Sequence, residues 1–180
     1  MIMGPGLRKL VRTAHITCTV GWLGAVAGFL ALAVAGMSSR DEQMVSAAYL
    51  AMEVITLYVI VPLSFIPLLL TGPLLSLGTP WGLFRHYWVV VKLVISILST
   101  LILLVHVQPI RHLSHAAATG TLSPADRSLQ IQMVFASSAG LLALLGCTGL
   151  AVYKPRGMTP YGWRRQYEVE LAPTDSNKSN

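Results

Sequence analysis

The chain has 180 residues, 54% of them hydrophobic and 11% charged, with a net charge of +6. A soluble domain carries about a quarter charged residues, so this composition excludes one. The basic residues flank apolar blocks and do not interleave with aromatics as in single-strand binders, which excludes nucleic acid as a partner.

The apolar residues fall into four blocks, each reaching the ~20 residues that cross a bilayer as a helix. The expected fold is all-α: a polytopic membrane four-helix bundle, one domain over residues 1–165 with a polar tail at 166–180. The first span is expected at residues 13–36, behind Arg8, Lys9 and Arg12. Its apolar core is longer than the ~7–15 residues of a signal-peptide core, and it contains His15, Thr17, Cys18 and Thr19, so a retained helix is predicted. Gly21, Gly24 and Gly28 include a GxxxG pair, which serves close packing inside the bundle or, as the competing reading, a homodimer.

"SSRDEQ" at 38–43 is a short polar link. The second span is expected at 47–72. Glu53, Thr56, Ile60, Ser64, Pro67 and Thr71 recur at steps of three and four, a polar stripe that marks an inward face. Pro62 and Pro67 each remove a backbone donor and should kink this helix. Residues 72–84 are too broken by Gly and Pro to span again, and place Trp81 as an interfacial anchor.

The third span is expected at 87–108, with Trp88, Lys92, Ser96, Ser99, Leu103 and His106 on one stripe. His112 and His115 then fall in a loop. "TGTLSPADRS" at 119–128 has turn chemistry, with Ser123 and Asp126 as candidate caps. The fourth span is expected at 130–153, where Ala136, Ala139, Gly140, Ala143 and Cys147 offer a small-residue face. Residues 153–165 mix Tyr, Trp, Lys and Arg at headgroup level, and composition predicts disorder in the tail from 166. Arg8, Lys9, Arg12, Arg85, Lys92, Lys154, Arg156, Arg164 and Arg165 all fall on one side, so the positive-inside rule places both termini in the cytoplasm.

Cys18 and Cys147 sit in apolar blocks without CxxC or zinc spacing and read as small buried hydrophobes. No nucleophile–base–acid arrangement, phosphate loop or paired intramembrane carboxylates are present, which leaves hydrolase, kinase and glycosidase chemistry without support. The chemistry-bearing residues collect near the cytoplasmic end. His15 and Trp22, seven residues apart, share a face ~10 Å apart along the axis. Trp88 and Lys92 open the third span from the same side, with Arg85 and His86 just below. An imidazole lone pair for iron, cations for carboxylates and indoles for a flat ring suit an anionic planar molecule, a b-type haem or related tetrapyrrole. A quinone, taking a hydrogen bond from Lys92 or His15, fits the same groups.

In the haem reading His15 is the axial ligand, with His86, another group or water opposite. Arg12, Arg85 and Lys92 hold propionates, and Trp22 and Trp88 wall the pocket. The ordinary alternative is that Lys92 snorkels and the indoles form an interfacial belt. On the other side of the membrane, Glu53 and His106 are expected to form a polar or proton-carrying pair.

The run His15-x6-Trp22-x-Gly24, then Trp88-x3-Lys92, then His106, resembles a group of small bacterial membrane bundles. It includes the HemJ-type protoporphyrinogen oxidase and the membrane domain of copper-resistance protein D. The resemblance covers the first and third spans, and the Pro-Arg segment that ends the first HemJ helix is replaced here by "ALAVAGMSSR". It implies a multi-pass protein of the bacterial inner membrane, haem b as cofactor and an electron-transfer or membrane-complex partner, with His15 and Lys92 as the residues that handle the tetrapyrrole. The competing expectation is a cofactor-free accessory subunit or small transporter with a polar core.

Overall fold

A computed structural model describes residues 4–78, 83–153, 155 and 157–171. It is all-helical, and no strand is present among the described residues. The helices are α1 (Pro5–Ser38), α2 (Glu42–Ile55), α3 (Val61–Phe65), α4 (Gly72–Gly78), α5 (Tyr87–Ala118), α6 (Arg127–Tyr153) and α7 (Pro160–Leu171). Four helical runs are long and apolar enough to cross a membrane: α1, the continuous α2–α4 run, α5 and α6. Trp81, Lys154, Arg156 and the tail 172–180 lie outside the described residues.

Pro5 opens α1 at a position whose N–H would lack a helical partner in any case. Around the bundle, α1 packs on α2 and α6, and α5 packs on the same two neighbours. The chain therefore runs up and down, with the start of α1 and the end of α6 on one side, the terminal end, and the α1–α2 and α5–α6 links on the other, the far end. Trp22, Phe29, Tyr49, Met52, Leu113 and Met133 form the centre of the core. In lipid, apolar transfer does not hold such helices together; close packing does. Gly36 shows the tolerance: an added Cβ would lie 3.0 Å from the ring of Tyr49, which is itself buried. Gly21 and Gly28 face Leu63 and Ile55 in the same seam, so two of the three glycines serve packing inside the bundle, while a Cβ on Gly24 would meet open space.

The second span is widened at two places, each just ahead of a proline, Pro62 and Pro73, whereas Pro67 opens the second wide turn and is not what it accommodates. Thr56–Ile60 and Ile66–Thr71 are π-helical turns. Val61 N–H bonds Thr56 O, and Gly72 N–H bonds Pro67 O, each five residues back. A proline ring crowds the carbonyl four residues earlier, and one extra residue in the turn relieves that crowding. Of the expected inward stripe, Thr56, Ile60, Ser64, Pro67 and Thr71 are buried, while Glu53 is only partly so.

The third span differs from expectation. The helix does not stop at Gln108 but continues through Pro109 to Ala118. Ile110, Leu113, Ser114 and Ala116 are buried beyond the proline, so packing of that last stretch outweighs one lost backbone bond. His112 and His115 are therefore helical residues. The helix closes at Gly120, whose φ of 67° favours glycine. At the chain's end, residues 166–171 belong to α7. Thr159 caps α7 by accepting from Gly162 N–H at 3.1 Å, and its hydroxyl donates to Phe84 O. That pins α7 to the link ahead of α5.

The far end is held by polar contacts. Arg127 donates to Met37 O at 2.9 Å, tying α6 to α1. Ser123 and Asp126 form a capping box in the Pro124–Asp126 turn that precedes α6, and His112 reaches Asp126 at 2.8 Å. Ser123 N–H, then His112 and the Ser123 hydroxyl, hold the Asp126 carboxyl below the usual aspartate range. A depressed folded-state value stabilises above the unfolded one and is lost as pH falls through it. Thermal melts in detergent should therefore lose stability as pH drops below about 4. An Asp126→Ala variant should melt lower at neutral pH and show a flatter acid dependence; parallel curves would contradict this.

Candidate functional site

The structure divides the sequence-predicted residues between two places. The first is at the terminal end. His15 on α1 meets Thr71 of the second wide turn, Nδ1 to Oγ1 at 2.8 Å. Lys92 on α5 stands over the Trp88 ring, 5.9 Å from its centroid. Trp88 in turn packs near His86, with ring centroids 6.5 Å apart. The described helices thus bring His15, Lys92, Trp88 and His86 to one end, together with Thr71 and Cys147.

Thr71 reaches His15 because of the wide turn. An added Cβ on Gly72 would fall 2.5 Å from Pro67 O and 3.9 Å from His15 Cε1, so the turn has room only for glycine there. Arg85 lies in the bend before α5, where its carbonyl accepts from Thr159 N–H at 3.0 Å. A Cβ on Gly162 would lie 2.5 Å from that carbonyl, so α7 seats directly on Arg85. Arg12 is exposed on α1.

The second place is a cavity of about 580 Å³ between α5 and α6, with Trp22, Val26 and Phe29 of α1 behind it. Leu98, Ile102 and Phe135 at its rim are each more than half exposed. The cavity therefore opens sideways through the bundle surface that acyl chains would cover. Ala136, Ala139, Gly140 and Ala143 make the α6 wall; their small size leaves the space. Trp22, expected beside His15 and Lys92, is buried at 4% exposure and forms the cavity floor instead.

Polar groups in this lining are few: Ser99, His106, Gln132 and Ser137. Ser137 spends its hydroxyl on Met133 O at 2.7 Å. His106 Nδ1 lies 2.7 Å from Ile102 O. A carbonyl can only accept, so Nδ1 carries a proton, and in the neutral ring Nε2 presents a lone pair. The Gln132 amide nitrogen is 3.3 Å from that Nε2 and donates to it.

The expected Glu53–His106 pair does not form. Glu53 Oε1 faces Arg111 Nε at 3.6 Å. His106 and Arg111 are five residues apart on α5, about 140° around the axis, so one side chain faces α6 while the other faces α2. Among the described residues, no group of three or more His, Cys, Asp or Glu side chains could hold a metal ion.

Gln132 was missed in the sequence. Its signal was a polar side chain inside an apolar span, obscured by its nearness to the span's start. No family model, curated protein or solved structure matches the chain. The likeness to HemJ-type bundles rests on the residues quoted for it. Gly72→Ala tests the link between the wide turn and His15. Overpacking a turn this tight costs about 1–3 kcal/mol, so the variant should melt several degrees lower and shift the His15 ring-nitrogen NMR signals. An unchanged His15 spectrum would show that the turn does not position the imidazole.

Proposed function

We propose that this chain is a multi-pass membrane protein that binds a lipophilic ring-bearing molecule within the bilayer, in the service of redox chemistry or tetrapyrrole handling. The observation that carries the reading is the cavity between α5 and α6, open on the lipid side, floored by Trp22 and edged by His106. Pockets for small molecules are mostly apolar, with a few placed polar groups, and this one has that balance. A binding protein also explains why α6 presents a row of small residues where tighter packing would otherwise fill the space. The basic flanks of the spans support cytoplasmic termini.

A second reading is favoured by the terminal-end group. Thr71 engages His15 Nδ1 at 2.8 Å, which leaves Nε2 for an axial bond. Metal-binding imidazoles commonly have their other nitrogen held by a second group in this way. A b-type haem there would supply one-electron chemistry. His15 would hold its iron, Lys92 and Arg85 would meet its carboxylates, and Trp88 would lie against it.

Protein purified in mild detergent should carry an extractable lipophile, and 1-bromododecane should quench Trp22 fluorescence saturably. Gly140→Phe, which fills the cavity, should lower the bound lipophile at least tenfold while helical content stays unchanged. Absence of both lipophile and quenching would overturn the cavity reading. The haem reading predicts a Soret band that His15→Ala abolishes; protein colourless even after expression with added haem precursor would overturn it.

A further inference from the structure

The cavity's chemistry narrows its ligand. Among the described residues its lining contains no Lys, Arg, Asp or Glu. A carboxylate-bearing ligand would carry its charge into hydrocarbon without a partner, which is strongly unfavourable. A plain hydrocarbon would leave the polar groups at the His106 end unused. The remaining class is an uncharged ring that hydrogen-bonds at its edge and trails an apolar tail.

We infer that the cavity holds a quinone-class lipid, with its ring oxygens at Gln132 and His106 and its tail along the small-residue wall of α6. This inference rests on the cavity reading given above. The Gln132 amide has two N–H donors. One points to His106 Nε2 at 3.3 Å, and the other remains for a ring carbonyl. His106, with Nδ1–H committed to Ile102 O, offers Nε2 as an acceptor for a ring hydroxyl once the Gln132 N–H that occupies it turns away. One donor and one acceptor side by side match a group that is a carbonyl when oxidised and a hydroxyl when reduced. Ser99 lines the same cavity seven residues before His106, about 10 Å along α5. It sits on the same face, placed for the oxygen on the opposite side of the ring. Trp22 lies beneath, so a bound ring would contact an indole.

The test uses full-length protein in detergent with two quenchers of indole fluorescence, decylubiquinone and 1-bromododecane. Trp22→Phe supplies the baseline from the other tryptophans. Both probes should quench the Trp22 component saturably. Gln132 is exposed on α6, so Gln132→Leu should fold normally. Losing one net hydrogen bond should weaken decylubiquinone binding about fivefold, with bromododecane unchanged within twofold. His106→Leu should weaken the reduced form of decylubiquinone more than the oxidised form. If both variants bind decylubiquinone as the parent does, while bromododecane still quenches, the quinone inference fails and the lipophile cavity stands. If neither probe reaches Trp22 in the parent protein, the cavity reading itself fails.

Discussion

In hydrocarbon a backbone polar group has no water to turn to, and this constraint organises the molecule. The second span shows it most directly. Pro62 and Pro73 cannot donate, and their rings crowd the preceding turn. The chain responds with two wide turns whose N–H groups reach five residues back. Hydroxyls supply extra donors to main-chain carbonyls, Thr56 to Met52 O and Ser64 to Val61 O. The wide turns then set what the span can touch. The first ends at Ile60, which lines the cavity, and the second ends at Thr71, which holds His15.

The same constraint engages hydroxyls on the other spans. Thr19, Thr100, Ser137, Ser138 and Thr148 each donate to a carbonyl three or four residues back on their own helix. A stripe of such residues looks like a polar path in sequence, yet each hydroxyl is already engaged. Some polar contacts inside the spans behave differently, because they cross between helices; among them are His15 with Thr71 and His106 with Gln132. A cross-helix hydrogen bond adds only modest stability in membranes, since the unassembled helices also find partners. Both involve an imidazole, which suits them to hold a group in place more than to hold the bundle together.

The four spans were legible because length and hydropathy alone decide whether a helix crosses. Burial along Thr56, Ile60, Ser64, Pro67 and Thr71 was legible because polar groups avoid lipid. The extent of α5 was not: Pro109 reads as a stop, and only the buried Ile110 and Leu113 beyond it show why the helix continues. Trp22 was expected with His15 because the two share a face. A shared face fixes direction but not depth, and ~10 Å along α1 carries the indole past the terminal-end group and into the cavity floor. Glu53 and His106 failed to pair for the complementary reason, since equal depth does not fix the direction a side chain takes around its helix. Gln132 required the α5–α6 geometry, which no single-helix pattern contains.

Charge separates the two places more sharply than distance does. The terminal end gathers Lys92, Arg85 and the imidazoles of His15 and His86. Among the described residues the cavity lining has no permanently charged side chain. An anionic tetrapyrrole and an uncharged ring lipid therefore would not compete for one site, because each is penalised where the other is suited. Trp22 belongs to the uncharged side of that division, as its burial among Val26, Phe29 and Met133 requires. The face of α1 that carries both His15 and Trp22 thus joins two chemically distinct environments within a single helix. The bundle keeps them apart by packing: Ile60 and Leu144 close the cavity toward the core, while the wide turn holds the imidazole at the terminal end.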